Sequence, residues 1–139
     1  MRKTNADLSD IAHMGGPVVD SDMYTVAQTL TQGQTFTTMT NAVNVATKGA
    51  DSVTLMFKFT GANASSSGTV TFYIAVSYDG TNFETVGTPF AGTLNSNTAV
   101  AFAGLLDTRG VVAIECIKIV NGDASYGLTA VNIHAYSLQ

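Results

Sequence analysis

Charge is what this sequence has least of. Asp, Glu, Lys and Arg make up 12% of its 139 residues, about half the fraction usual in globular proteins. Thr, Ser, Asn, Gln and Gly must therefore carry the surface. Such a surface has weak long-range fields, and a formal net charge of −4 is not the basic footprint that phosphate backbones require. Nucleic acid is not an expected partner. The single cysteine, Cys116, cannot form an internal disulfide and leaves no cysteine framework to interpret. Within VVAIECIKIV it reads as a small, soft side chain in an apolar strand. Tryptophan is absent, which removes the best aromatic platform for stacking a sugar ring. No stretch approaches the ~20 apolar residues of a membrane span. Met1-Arg2-Lys3 begins like a signal peptide, but Thr4 to Asp10 supplies no apolar run to follow it. The expectation is a protein made and folded in the cytoplasm, or exported by a route that leaves no mark in these residues, without a membrane partner.

What the sequence has in quantity is alternation. In SVTLMFKFT, residues Val53, Leu55, Phe57 and Phe59 share one face and Ser52, Thr54, Met56 and Lys58 the other. In TVTFYIAVSY, residues Val70, Phe72, Ile74, Val76 and Tyr78 alternate in the same way. Period-two patterns of β-branched and aromatic residues are the strand signal. The two segments, joined by GANASSSG, read as a central hairpin with an exposed loop tip. Asp79-Gly80 suits a tight turn with positive φ, from which Asn82 to Val86 would return as a third strand.

Before this core, residues 1–22 lack a sustained period. Leu8, Ile11 and Met14 stand at i, i+3, i+6, enough for one or two helical turns, and Gly15-Gly16-Pro17 breaks any helix. This segment reads as an arm with few apolar anchors; a neighbouring subunit is the better candidate for what holds it, and the alternative is an edge segment lying along its own sandwich. Its partner-binding residues would be Leu8, Ile11, His13, Met14 and Val18. Residues 23–139 form the domain. Strands are expected from Tyr24, over Thr35 to Asn41 and Ala42 to Thr47, and at Thr98 to Ala103. Gly87-Thr88-Pro89 is read as ending a strand, because Pro cannot donate to a ladder. Leu105 to Gly110 is a connector, and Leu128 to Ser137 the last strand. Val111 to Val120 carries apolar residues on both faces, so it is either central and covered twice or bulged midway. Eight or nine short strands separated by turns predict an all-β antiparallel sandwich of two sheets. Jelly-roll topology fits it better than a meander.

Chemistry is hard to place on this frame. His13 and His134 have no Cys, Asp or His at ligand spacing, and zinc needs three or four such ligands. Asp20 and Asp22 offer two oxygens where calcium needs six to eight, and they read as a solvated turn. Glu84 and Glu115, the only glutamates, lack a partner motif for acid–base work. There is no GxSxG, HExxH or Walker loop. No catalytic, cofactor or metal residues are assigned, and an enzyme is not expected. A glycan face is the more serious alternative: Tyr78, Asn82 and Phe83 in SYDGTNFETV combine aromatic rings with an amide, although cross-strand pairing would select the same aromatics.

A short, weakly charged β-sandwich with an N-terminal arm, carrying SVTLMFKFTG and TVTFYIAVSYDGTNF, resembles small tailed-phage virion proteins, most of all the head decoration (cement) proteins. The resemblance implies a structural protein on the outer capsid surface that bridges neighbouring copies of the major capsid protein, as a homo-oligomer and typically a trimer. A carbohydrate-binding jelly-roll module, or another virion part such as a head fibre, neck or tail component, is the alternative.

Overall fold

The computed structural model describes residues 17–26, 35–36 and 42–138. These form nine strands: β1 (Pro17–Val26), β2 (Thr35–Phe36), β3 (Val45–Ala46), β4 (Ser52–Gly61), β5 (Thr69–Ser77), β6 (Thr88–Thr93), β7 (Ala99–Asp107), β8 (Ala113–Asn121) and β9 (Leu128–Leu138). Every strand pairing is antiparallel. One sheet has the order β1-β9-β4-β7, the other β2-β8-β5-β6, and β3 lies on the same edge of β8 as β2. Six of the eight connections in chain order pass from one sheet to the other. This is an antiparallel two-sheet sandwich with jelly-roll strand order.

That order corrects the central hairpin. β4 pairs with β7 and β9, whereas β5 pairs with β6 and β8, so the two strongest strands face each other across the core. Alternation says that each strand has one buried face. It does not say whether the next strand lies beside it or opposite. The linker crosses the end of the sandwich, exposed over most of its length but pinned: Ser66 is buried, its Oγ accepts from the Asn63 N–H, and its carbonyl accepts from Ser96.

Other boundaries move for local reasons. Asn82 to Val86 is not a strand; it touches β5 through a single bridge, Phe83 to Ser77. The Glu84 carboxylate accepts the Val76 N–H, while the Glu84 N–H donates to the Val76 carbonyl, so a side chain takes the donor that a ladder would have used. Pro89 sits inside β6, opposite Tyr73. β6 is an edge strand, where a missing N–H costs no ladder bond. Leu105 and Leu106 continue β7 and are not a connector. β8 is bulged: Tyr73 pairs Lys118 while Ile74 pairs Cys116. The extra residue, Ile117, switches the buried face from Ile114 and Cys116 to Ile119 and Asn121, which is why the strand reads apolar on both sides.

The expected arm also shortens. Residues 17–22 belong to β1, in register with β9 from Pro17↔Leu138 onward, and Val18 packs against the protein's own core. Strand pairing satisfies this segment's backbone groups, which outweighs its lack of apolar period. Leu8, Ile11, His13 and Met14 lie outside the described residues.

The core is centred on Phe57, whose ring lies 4.8 Å from Phe72, 4.9 Å from Phe102 and 5.2 Å from Phe90. Leu55, Phe59, Ile74, Ile114, Ile119, Leu128 and Ile133 complete it, each almost fully buried. A buried side chain of this size contributes about 1.5–3 kcal/mol relative to exposure. On the side where β6 and β7 meet, glycines make room for rings reciprocally. A Cβ on Gly92 would lie 2.6 Å from the Phe102 ring, and a Cβ on Gly104 would collide with the Phe90 ring. The two sheets are thus interlocked along that side.

Candidate interaction surface

The outward face of the β1-β9-β4-β7 sheet is built by alternation and fixed by register. Its cross-strand rows read Asp20, Tyr136, Thr54, Leu105; then Asp22, His134, Met56, Ala103; then Asn132, Lys58, Ala101. The face grades from acidic at β1 to apolar at β7. Leu105 is 69% exposed and Tyr136 and Met56 about 40%, and beside Leu105 the outward residues Ala99, Ala101 and Ala103 are all exposed.

At the acidic end His134 bridges both carboxylates. Its Nδ1 lies 2.7 Å from Asp22 Oδ1 and its Nε2 2.5 Å from Asp20 Oδ1, with Asn132 Nδ2 donating to Asp22 at 3.5 Å. The hydrogen bond to His134 holds the Asp22 carboxyl below its ordinary value. Reciprocally, the bond to Asp22, reinforced by Asp20, raises the histidine. An imidazole with both nitrogens engaged has no lone pair to offer as a base or a metal ligand. The cluster ties β1 to β9. Sequence reasoning treated these aspartates as a turn and His134 as unpartnered. The signal was there in the i, i+2 spacing of Asp20 and Asp22, which puts both on one strand face. A first strand expected only from Tyr24 leaves both aspartates outside it.

The second candidate is the turn after β5. Tyr78 is 66% exposed, Asn82 is exposed and Phe83 half-buried. Asp79 organises the turn, accepting the N–H groups of Thr81 and Asn82 on Oδ1 and the Asn82 amide on Oδ2, and buried Ser77 donates to it. The Asn82 N–H is the chief cause of a carboxyl held far below its usual range. Gly80 has φ +83°, as the turn chemistry requires. The turn is rigid, but its carboxylate and its amide are engaged with each other, so a sugar hydroxyl would have to displace those bonds.

Cys116 is buried and its Sγ lies 3.7 Å from the Lys118 carbonyl. Burial pushes its thiol up to about 12, so no thiolate forms at neutral pH. Among the described residues, no group of three or more His, Cys, Asp or Glu is placed to hold a metal ion.

No protein-family model and no curated protein matches the chain. Among solved structures, one from work on Bacillus endospore appendages, described as disulfide-linked pili, is 10% identical. It aligns over 90% of this chain and 92% of that one with a TM-score of 0.42. A CBM4 structure is 16% identical over 94% of this chain and 83% of that one, with a TM-score of 0.43. At this level of similarity neither carries an argument about this protein, whose fold rests on its own strand order.

Proposed function

We propose that this protein is a structural component of a large assembly, a rigid sandwich that docks on a protein lattice and reinforces it. In the specific form implied by SVTLMFKFTG and TVTFYIAVSYDGTNF, the lattice is a tailed-phage capsid and the protein decorates its outer surface by bridging neighbouring capsid subunits. One observation carries the reading: the exposed apolar side chains of Leu105, Met56 and Tyr136, spread over two adjacent rows of the outward sheet face. Exposed apolar patches of this kind mark protein-interaction sites, and a surface poor in charge lowers the cost of desolvating them. The stabilising mechanism would be mass action. A protein that binds only the assembled lattice favours it by RT ln(1 + [L]/Kd) at every site.

The test is co-sedimentation with assembled shells encoded by genes neighbouring this one. The wild-type protein should pellet with them and raise their disruption temperature. Met56→Asp combined with Leu105→Asp should stay folded and remain in the supernatant. Undiminished pelleting of that variant would refute the proposed face.

A glycan-binding role is the second reading, favoured by the exposed Tyr78 ring on a rigid turn beside Asn82 and Phe83. On a glycan array it requires binding to a defined sugar that is lost on Tyr78→Ala. An array without binders removes it.

A further inference from the structure

The sandwich presents its sheet edges unequally. β1 carries Asp20 and Asp22 and two register shifts. β6 is six residues long and contains Pro89. The far edge of β8 is met by β2 and β3, two residues each. Charges, bulges, prolines and short strands are the devices by which proteins blunt open edges. Before its last residue, Asp107, β7 has none of them. Its nine residues, AVAFAGLLD, pair with β4 one for one without a register shift, and no charge precedes Asp107. Among the described residues nothing pairs with its other side, which presents backbone N–H and C=O groups along an apolar strand.

We infer that this edge pairs with the β7 edge of a second copy, antiparallel across a two-fold axis at Ala103, joining two sheets into one of eight strands. The occupant follows from the strand being complementary to itself. In that register Ala101 of one copy faces Leu105 of the other, small against large, and the match occurs twice by symmetry. Asp107 faces Ala99, so no like charges oppose. An isologous pairing leaves no open β7 edge, so association stops at two copies. This inference goes beyond lattice docking and stands on the β7 edge alone.

Sedimentation or light scattering on the full chain tests it. The expected mass is twice the 14.5 kDa of one chain, and Ala103→Lys, which sets two cations face to face, should return it to one. Ala103→Cys should form a covalent dimer on mild oxidation, because residues on the axis are close enough for a disulfide. Met56→Cys should not: one strand further in on each copy, its partner is about 14 Å away, beyond disulfide reach. The covalent link provides a readout even if the lysine variant fails to fold. A one-chain mass at every concentration would overturn the inference, as would the three-chain mass that decoration proteins imply. So would a dimer indifferent to Ala103→Lys with no link at 103, or one lost on deleting residues 1–16 while Ala103→Lys leaves it intact.

Discussion

Asp123 should contribute measurably to the stability of this fold, although it lies in a short turn between β8 and β9. It is 5% exposed. Oδ2 accepts the Ser67 N–H at 3.0 Å, and Oδ1 accepts those of Ser125 and Tyr126 at 2.8 and 3.0 Å. The carboxylate thus fastens the 62–68 crossover, which joins the two sheets, to the turn that leads into the last strand. Asp123→Ala leaves three donors without their acceptor. At roughly 1 kcal/mol for each of these part-buried bonds, a typical net value for one hydrogen bond, the loss is about 3 kcal/mol. Asp123→Asn keeps one oxygen for Ser125 and Tyr126 but turns an amide donor toward the Ser67 N–H, so the loss should be about 1.5 kcal/mol.

Urea unfolding at neutral pH measures both, with the slope m unchanged if only the folded state is affected. Burial pushes the Asp123 carboxyl up, and the three backbone N–H groups outweigh it, leaving the group below its ordinary value. A folded-state value below the unfolded one means the contribution is fully present above about pH 4 and is lost as pH falls through the folded value. The gap between wild type and Asp123→Asn should therefore close in acid. A loss under about 0.5 kcal/mol for the alanine variant, or a larger loss for asparagine than for alanine, would refute the clamp.

Other consequences are more local. The His134 ring should titrate by NMR above about 6.5, and Asp22→Asn should lower its midpoint. Because the folded value is raised, the cluster's contribution is present below about 6.5 and fades as pH rises through the folded midpoint, so any stability gap to His134→Gln should narrow in alkali. The Cys116 thiol should ignore Ellman's reagent in the native protein at mildly alkaline pH and react on unfolding; prompt native reaction would contradict its burial. Gly104→Ala should destabilise by about 1–2 kcal/mol through overpacking against Phe90. Combined with Phe90→Leu it should cost less than the sum of the two, and strict additivity would deny the contact.

Most of the strands were legible because one buried face imposes period two. Val53 to Phe59 and Val70 to Val76 face the core in the observed phase. Even the ambiguity of Val111 to Val120 was informative, since the bulge at Ile117 was one of its two readings. What alternation does not encode is partnership, so β4 and β5 were placed side by side when they lie in opposite sheets. Tyr78 shows a second limit: it continues the β5 phase but lies past the strand's end, turned to solvent by Asp79. The outward face was hardly legible. His134 is more than a hundred residues from Asp20 and Asp22 in sequence, and only the β1–β9 register brings them together.

Finally, the paired rings and glycines of β6 and β7 bind four positions into one heritable unit. A larger residue at 104 is acceptable only if 90 shrinks, and likewise 92 with 102, so divergence along this flank should proceed by coupled exchanges with a disfavoured intermediate between them. Sequences that drift freely elsewhere would keep these partners in step, giving a signature by which distant members could be aligned when little else survives.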